Sequence, residues 1–382
     1  MDFYSTKIGI LGAGQLGKML CLAAAKWQLP VAVLDADETF PAVPYAIQFF
    51  KGDFNNYDDV VAFGKQVDII TIEIEHVNLA ALQDLESIGK IVHPSPAALA
   101  VIKDKGLQKQ FYQQHNLPSG EFILLENKQS ILDAFQQKKI KLPFVQKLRT
   151  GGYDGKGVQI IYTENELSNL FDAPCVIEKL VQIKKEIAVI AARNESGEVA
   201  TYPPVEMVFD PVANLVDTLL MPAQINKIIQ NEAIIIAEET IKKLNIVGLL
   251  AVELFLDEHD NLLINEVAPR PHNSGHQTIE ACITSQFEQH IRAILNLPLG
   301  STSQHKIACM INILGEENYT GNVKYIGLEK CLASSGIHVH LYGKKKTKPK
   351  RKMGHITILG ENIEEIYQKI SIVKNNVKAI SI

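Results

Sequence analysis

The chain has 382 residues, of which 46% are hydrophobic and 21% are charged. This composition is that of an ordinary globular protein and excludes wholesale disorder. Acidic residues outnumber basic ones 43 to 38, which gives a formal net charge of −5 and excludes the global positive field that holds nucleic acid or an anionic membrane. The length predicts two or three domains.

The remaining global features indicate a protein without disulfides or membrane spans. No apolar run approaches the ~18 residues of a span, and residues 1–7 lack a secretion signal. We therefore expect a cytoplasmic protein. The five cysteines are scattered without a C-x-x-C pair, and this predicts buried free thiols rather than a disulfide or zinc site.

The first 96 residues alternate strand and helix patterns. Apolar runs at 7–11, 31–34 and 67–72 predict strands, and apolar residues at helical spacing follow the first of them. This alternation predicts parallel βαβ units with a ligand crevice at the carboxyl ends of the strands. Pro94 and Pro96 predict a linker where this domain ends.

The patterns beyond residue 96 are more mixed. Residues 97–135 predict helices interrupted at 116–120, and a β-rich segment follows. Residues 232–244 predict an amphipathic helix, and residues 248–267 predict two strands around a polar turn at 257–261. Short strands occupy the last 80 or so residues.

A glycine motif, GAGQLG at 12–17, lies between the first predicted strand and helix. In this setting, backbone amides and a helix N-terminus hold phosphate. Asp35 lies about where a dinucleotide fold places its ribose-binding acid. Taken alone, the motif favours a nicotinamide or flavin enzyme, while a ligand with one phosphate and a purely structural turn remain alternatives.

A second glycine cluster, TGGYDGKG at 150–157, resembles a phosphate loop. It departs from the Walker pattern because Gly157 follows Lys156 where Ser or Thr belongs. Free backbone amides can nevertheless close over a triphosphate, with charge from Lys147 and Lys156. The alternative is a mobile hairpin tip with solvated lysines.

Two acids, Glu253 and Glu266, flank the turn at 257–261. A symmetric hairpin that pairs residue 255 with 264 also pairs these two acids on one face. Like charges facing across strands repel, so the pair is reasonable where a divalent cation lies between the carboxylates. A register shift of one residue separates the acids and leaves two exposed edge residues.

The segment that follows Glu266 is polar and rich in turn formers, and core packing does not explain it. Arg270 offers a planar fork for an oxyanion, and His272 and Asn273 offer hydrogen bonds. Beside a metal pair, this loop predicts a reaction centre.

Two weaker signals complete the set. Residues 178–181 end a strand and can present backbone groups to an adenine edge, with Glu186 placed for ribose hydroxyls. Residues 344–352 contain seven basic residues in nine. Because strand-like segments flank this run, we interpret it as an ordered loop over a ligand phosphate rather than a nuclear-targeting or nucleic-acid patch.

In combination, the chain resembles the ATP-grasp superfamily, and within it the N5-carboxyaminoimidazole ribonucleotide synthetases. The resemblance runs essentially from end to end. The segments that carry it are 12–19 (GAGQLGKM), 73–77 (EIEHV), 151–157 (GGYDGKG), 265–276 (NEVAPRPHNSGH) and 351–355 (RKMGH).

The resemblance implies an α/β (α+β) chain with the ATP-grasp fold and an N-terminal Rossmann-like, or pre-ATP-grasp, domain. The implied divisions are a substrate-binding domain at 1–96, linker helices and a small lid subdomain at 97–180, a large ATP-grasp subdomain at 181–300 and a β-rich segment at 301–382. ATP and Mg²⁺ are the implied cofactors. Bicarbonate and 5-aminoimidazole ribonucleotide are the implied substrates of a homodimer in purine biosynthesis.

The resemblance also implies roles for individual residues. Glu253 and Glu266 would carry the metal, and Arg270, His272 and Asn273 would be catalytic. The nucleotide would contact Lys105, Lys147, Gly152, Tyr153, Asp154, Gly155, Lys156, Gly157, Val158, Glu178, Lys179, Leu180, Val181, Glu186, Asn265 and Glu266. The ribonucleotide substrate would contact Gly14, Gln15, Leu16, Glu75, Lys344 and Arg351.

Three positions depart from the family pattern, and three other functions stay open. Lys18 and Lys105 stand where arginine is common, and Phe209 stands about where many members have a nucleotide-contacting histidine. The first alternative function is an NAD-dependent oxidoreductase, which leaves the second glycine cluster unexplained. The others are an ATP-grasp ligase with a different nucleotide or amino acid substrate and a non-catalytic nucleotide sensor.

Overall fold

The computed structural model describes residues 5–152, 157–210 and 215–382. Four residues predicted to contact ATP, Tyr153, Asp154, Gly155 and Lys156, lie outside these ranges. In the described ranges, no helix is both long and apolar enough to cross a membrane.

The N-terminal region contains a parallel sheet of five strands in the order β3-β2-β1-β4-β5, which confirms the predicted βαβ architecture. Apolar residues fill its strands, and β1 and β2 are buried along their whole lengths. Its strands are Ile8–Leu11 (β1), Val31–Asp35 (β2), Gln48–Lys51 (β3), Ile69–Ile72 (β4) and Ile91–Val92 (β5), and its helices are Gln15–Ala25 (α1), Tyr57–Gly64 (α2) and Leu79–Ser87 (α3), with a 3-10 turn at Val43–Tyr45.

The expected linker is instead the start of a helix. Ser95 accepts the backbone N–H of Ala98, and Pro96 occupies the first turn, where its missing N–H costs nothing. Two helices, Pro96–Lys103 (α4) and Lys105–Gln114 (α5), lead into an antiparallel sheet in the order β6-β9-β7-β8. The strands of this sheet are Phe122–Leu125 (β6), Phe144–Leu148 (β7), Val158–Ile161 (β8) and Cys175–Lys179 (β9). A helix, Lys128–Gln136 (α6), and a 3-10 turn, Glu164–Asn169, connect them. Strand β6 lies where the pattern predicted only helices.

The largest sheet has nine described strands, eight of them in the order β15-β14-β10-β12-β13-β16-β20-β18, with β11 paired to β10. Three of the C-terminal strands, β16, β18 and β20, extend this sheet, whereas the short strands β17, β19 and β21 form a separate three-stranded sheet in the order β19-β17-β21. Its strands are Ile183–Arg193 (β10), Val199–Thr201 (β11), Val205–Asp210 (β12), Leu215–Met221 (β13), Gly248–Asp257 (β14), Leu262–Ala268 (β15), Ile307–Leu314 (β16), Ile337–Leu341 (β18) and Lys352–Gly360 (β20).

The helices and short strands around the large sheet join it to the rest of the chain. Helix α9 packs against α1 of the N-terminal region and against β14, and its Phe287 and Ile291 share a buried cluster with Ile8. The remaining elements are Lys227–Lys243 (α7), Asn273–Gly275 (3-10), Thr278–Ala281 (α8), Gln286–Ile294 (α9), Gly321–Ile326 (β17), Leu328–Leu332 (α10), Lys346–Thr347 (β19), Ile363–Asn376 (α11) and Lys378–Ser381 (β21).

Candidate active site

The first glycine turn is filled by carboxylates of the chain itself. Asp35 accepts the backbone N–H of Ala13 at 2.7 Å. Glu73 accepts the backbone N–H groups of Gly14 and Gly17, the second at 2.5 Å. A methyl group on Gly12 would lie 2.4 Å from Cγ of Glu73. The glycines therefore make room for an internal carboxylate at the position where a dinucleotide fold holds pyrophosphate.

This arrangement corrects two expectations. Asp35 binds the glycine turn, so it is not available as a ribose ligand. The amide of Gly14 is also engaged, whereas in the described part of the chain the amides of Gln15 and Leu16 have no hydrogen-bond partner. A phosphate at this turn would therefore meet the amides of Gln15 and Leu16.

The two acids of the hairpin face each other, as predicted, but the register differs from a symmetric hairpin. Glu253 pairs with Glu266, while Leu254 pairs with Ile264. The predicted pairing of residue 255 with 264 is wrong because a β-bulge places Asn265 as an extra residue in β15. Without the bulge, the turn would pair Glu253 with Asn265.

A third acid lies on the same face of this sheet. Glu186 of β10 pairs with Phe255, two residues from Glu253 on the neighbouring strand. Burial raises the pKa of Glu186 to about 7, and the charge of Glu266 adds to this effect. Glu186, expected at a ribose, thus belongs to the acidic face.

The two facing acids titrate in opposite directions. Burial, together with the charges of Glu266 and Glu186, raises the pKa of Glu253 to about 8. Burial also acts to raise the pKa of Glu266, but Lys105 and Lys147 more than offset this and hold that pKa below its ordinary value. One carboxyl of the pair therefore keeps its proton at neutral pH while the other is charged.

The donors on this face suit a hard divalent cation. Glu253, Glu266 and Asn265 offer oxygen atoms, which Mg²⁺ prefers. Among the described residues, no group of three or more His, Cys, Asp or Glu side chains is arranged to hold a metal. Mg²⁺ commonly takes one or two carboxylates together with substrate phosphates, so two facing acids fit a metal that arrives with a nucleotide.

Lysines from the smaller sheet and from α5 reach across to this acidic face. Lys105 Nζ lies 2.8 Å from Glu266, and Lys147 Nζ donates to Asn265 at 3.0 Å. Lys147 also lies 3.1 Å from Glu178, which Lys109 contacts at the same distance on its other oxygen. Positive charge thus lines the gap between the two sheets, where a triphosphate requires it.

The remaining residues predicted to contact the nucleotide lie on the smaller sheet or in the segments next to its strands. Glu178 and Lys179 end β9, and Leu180 and Val181 connect it to β10, as expected. The side chain of Glu178, however, is buried between two lysines rather than free. In the glycine cluster, the carbonyl of Gly157 accepts the backbone N–H of Leu148 at 2.8 Å. Val158 begins β8, and its side chain is exposed. Gly152 comes directly before the residues that the structure does not describe.

Arg270 lies where the reaction loop meets the N-terminal sheet. Its Nη2 is 2.9 Å from Glu75, and its Nη1 donates to the carbonyl of Pro271. Its Nε is buried and has no hydrogen-bond partner among the described residues. The structure therefore brings together Arg270 and Glu75, two predicted site residues that are far apart in the sequence, and leaves the buried Nε of Arg270 without a partner among the described residues.

The ring of His272 is neutral and lies next to Glu253, one of the two facing acids. Burial lowers its pKa to about 3, and Arg270 contributes to the same shift. Its Nδ1 accepts the backbone N–H of Ser274, so the neutral ring carries its proton on Nε2, which lies 3.5 Å from Glu253. Asn273 follows at the start of the short 3-10 helix.

The basic run packs next to these groups. Burial lowers the pKa of Lys344 to about 8, Arg351 adds to this effect and Glu73 opposes it. Lys352, which had no predicted role, places positive charge near both Glu253 and His272. Lys344 and Arg351 donate to backbone carbonyls of their own loop, so the run is an ordered loop, as predicted.

One of the three departures from the family pattern has a clear structural role. Lys18 Nζ donates to the carbonyl of Leu341 at 2.7 Å and lies over the ring of Tyr45. It thereby ties α1 to a C-terminal strand. The side chain of Phe209 lies outside the described part.

Sequence reasoning missed several residues of this site. Glu73 lies in the segment 73–77 that carries the resemblance, but no role was predicted for it. Lys109 lies in a segment that nothing in the local pattern marked, and Gln286 has the pattern of an ordinary helix residue. The sequence separation between Glu73 and Gly14 is 59 residues, so only the parallel order of β1 and β4 reveals the contact.

Three family models match the chain. They are a ribonucleotide synthetase preATP-grasp domain over residues 5–103, an ATP-grasp domain over 110–287 and a phosphoribosylaminoimidazole carboxylase C-terminal domain over 308–369. The crystal structure of N5-carboxyaminoimidazole ribonucleotide synthetase from Thermotoga maritima is 43% identical in sequence. It matches with a TM-score of 0.91 over 99% of this chain and 100% of that one. The chain belongs to the N5-carboxyaminoimidazole ribonucleotide synthetase family.

Two other relatives define the range of this family. The Aspergillus clavatus synthase, solved with ADP and 5-aminoimidazole ribonucleotide, is 31% identical with a TM-score of 0.87, over 98% of this chain and 100% of that one. The chloroplastic phosphoribosylaminoimidazole carboxylase of Vigna aconitifolia is 37% identical over 378 residues. The match covers 97% of this chain and 67% of the plant protein, so the chain spans about two thirds of that carboxylase. The predicted ATP-grasp fold is confirmed.

Proposed function

We propose that the chain carboxylates the exocyclic amine of 5-aminoimidazole ribonucleotide, using ATP and bicarbonate, in purine biosynthesis. The full-length similarity to synthetases solved with ADP and this ribonucleotide supports the reaction. A homodimer, Mg²⁺ as the metal and a cytoplasmic location are part of this proposal.

The reaction has two balanced steps. A bicarbonate oxygen attacks the γ-phosphorus of ATP, the bond to the β-phosphate oxygen breaks, and ADP and carboxyphosphate form. The amine nitrogen then attacks the carboxyl carbon, directly or after CO2 is released, and inorganic phosphate leaves. The amine proton passes to phosphate or to solvent.

The nucleotide half of the site supports the first step. The lysines Lys105 and Lys147 would contact the phosphates, and the backbone at 178–181 would meet the adenine. Mg²⁺ held by Glu253 and Glu266 would neutralise charge that develops on the transferred phosphoryl group. The glycine cluster at 151–157 would contact the same phosphates.

The reaction loop supports the second step. Arg270 would hold the carboxyphosphate oxygens, with the neutral His272 donating a hydrogen bond from Nε2 and Asn273 beside it. Lys344, Arg351 and the amides of Gln15 and Leu16 would hold the ribonucleotide phosphate. The pairing of Arg270 with Glu75 is the observation that carries this proposal, because it joins the reaction loop to the N-terminal sheet where the substrate would lie.

The domain divisions predicted from the sequence remain part of the proposal. The boundary at 180 falls between β9 and β10, which belong to different sheets, and this supports it. The boundary at 300 separates β16, β18 and β20 from the other strands of the large sheet, and residues 301–382 would close the substrate site.

Bicarbonate-dependent phosphate release, with and without 5-aminoimidazole ribonucleotide, tests the function. We expect release to require ATP and bicarbonate and to rise when the ribonucleotide is added. Stimulation by glycinamide ribonucleotide or an amino acid instead would assign the chain to another ATP-grasp reaction. No release with any acceptor would reject the proposal.

A further inference from the structure

The side chain of Gln286, the first residue of α9, binds the backbone of the reaction loop. Its Oε1 accepts the backbone N–H of His272 at 2.9 Å, and its Nε2 donates to the carbonyl of the same residue at 2.7 Å. The side chain is fully buried, with 0% of it exposed. One planar amide thus satisfies both backbone groups of a predicted catalytic residue, much as a neighbouring strand would.

The same amide also contacts a second histidine of the loop. Nε2 of Gln286 lies 3.1 Å from Nδ1 of His276. The orientation of the amide is fixed, because only Oε1 can accept the N–H of His272 and only Nε2 can donate to its carbonyl. Nδ1 of His276 is therefore an acceptor, and the neutral ring carries its proton on Nε2.

The helix and the loop are fitted to each other around this amide. The backbone N–H of Gln286 donates to Oγ1 of Thr278 at 2.9 Å, and Oγ1 of Thr278 donates to the carbonyl of Gly275. A methyl group on Gly275 would lie 2.5 Å from Oε1 of Gln286. A side chain at position 275 would therefore displace the amide.

We propose that Gln286 is a positioning residue for carboxyl transfer and that it acts by holding His272 beside Glu253. The inference rests on the function proposed above. His272 Nε2 lies 3.5 Å from a Glu253 oxygen, and this distance depends on where the loop backbone is held. A misplacement of about 1 Å in a supporting group can lower turnover by about 100-fold.

The chain provides a matched control on the same helix. Gln289 is also fully buried, and its amide makes the same pair of backbone contacts, here to the N–H and carbonyl of Gly300, each at 2.8 Å. Gly300 is not part of the reaction loop. Gln286→Glu and Gln289→Glu therefore make the same chemical change, the loss of an amide donor, at two places that differ in their distance from the reaction.

The two variants are compared by steady-state phosphate release and by the melting temperature with Mg²⁺ and ADP. We expect Gln286→Glu to lower kcat by about 10- to 100-fold with the KM for ATP changed by less than about twofold. Gln289→Glu should lower the melting temperature but leave kcat within about twofold of the unmodified protein. Equal losses of kcat in both variants, or an unchanged kcat in Gln286→Glu, would overturn the proposal.

Two further tests do not depend on Gln286→Glu folding. Gly275→Ala leaves the amide intact but displaces it, so we expect the same loss of kcat, and full activity would count against the proposal. In the unmodified protein, ¹⁵N NMR of His276 should show the proton on Nε2, whereas a proton on Nδ1 would overturn the inferred geometry. The NMR result is independent of the reaction, so absence of carboxylase activity would reject the proposed function and leave this contact tested separately.

Discussion

Buried carboxylates lie at two turns of the molecule, the first glycine turn and the hairpin, and the two regions differ in how the chain stabilises their charge. At the first glycine turn, Asp35 and Glu73 accept backbone N–H groups, so each carboxylate has partners within the chain. At the hairpin, Glu253 and Glu266 face each other, and burial with mutual repulsion raises the pKa of Glu253 to about 8. The carboxylates of the first region are satisfied by backbone N–H groups, whereas both acids of the second region can be charged together only with added positive charge between them.

The contrast shows that the more familiar motif is the less informative one. GAGQLG has the form of a dinucleotide-binding turn, but its Gly14 and Gly17 amides donate to Glu73, and the missing side chain of Gly12 leaves room for that carboxylate. The pairing of Glu253 with Glu266 belongs to no phosphate-binding motif, but two buried acids in register require added positive charge for both to be charged. Two buried acids that face each other are therefore a better indicator of the reaction site than the spacing of glycines.

The largest expected effect follows from replacing the guanidinium beside the hairpin. Arg270→Lys keeps the charge opposite Glu75 but loses the planar fork, so we expect kcat to fall by about 10²- to 10³-fold. The KM for ATP should change far less. Arg292→Lys is the control, because Arg292 forms a similar pair with Glu288 at 2.8 Å on α9. Unchanged turnover in Arg270→Lys would remove this residue from the mechanism.

The pH dependence of stability tests whether Glu253 keeps its proton at neutral pH in the metal-free protein. Folding raises the pKa of Glu253 from its ordinary value of 4.5 to about 8. The stabilisation from its bound proton is complete below the unfolded pKa and is lost as the pH rises through the folded pKa. We expect the melting temperature of the metal-free protein to fall between about pH 5 and about pH 8.

The variant Glu253→Gln and the addition of Mg²⁺ distinguish the titration of Glu253 from the titration of other groups that also change the melting temperature with pH. The neutral amide cannot lose a proton, so the fall over this pH range should be smaller in the variant. Mg²⁺ with ADP should raise the melting temperature most at the alkaline end, where Glu253 is charged. Identical pH profiles for the variant and the unmodified protein would show that Glu253 does not titrate in this range.

A smaller effect is expected at the glycine turn. Glu73→Gln replaces one accepting oxygen with an N–H donor that faces a backbone N–H, so we expect a loss of about 2 kcal/mol in the free energy of unfolding. Chemical denaturation measures this change. Asp257→Asn alters an exposed carboxylate that also accepts two backbone N–H groups, and it should cost less. A stable Glu73→Gln protein that binds pyrophosphate at the turn would contradict the structural role.

The smallest expected effect is none at all. Because Glu73 fills the place of a pyrophosphate, NAD should not change the melting temperature of the unmodified protein, whereas ADP with Mg²⁺ should raise it. Thermal unfolding with each ligand measures both. Stabilisation by NAD would restore the oxidoreductase alternative.

The sequence predicted the N-terminal sheet and the two facing acids. It did not predict the residues that hold the site in place, such as the bulge at Asn265 and Gln286. The parallel N-terminal sheet followed from buried apolar runs, and the facing acids followed from a turn between two strands. The bulge at Asn265 was missed because the local pattern of β15 gives no sign of an inserted residue. Gln286 was missed because a buried glutamine in an amphipathic helix has the pattern of a surface residue, and its partner is 14 residues away in the chain.

The bulge at Asn265 also limits how this hairpin can be altered. Before the bulge, Ile264 lies opposite Leu254, and after it, Glu266 lies opposite Glu253. Deleting Asn265 would keep these two pairs, because it removes only the extra residue, but it would also remove the bend of β15 and the side-chain oxygen that accepts a hydrogen bond from Lys147. A designer who transplants the hairpin must therefore keep Asn265 for its contact with Lys147, whereas the pairing of the two acids does not depend on it.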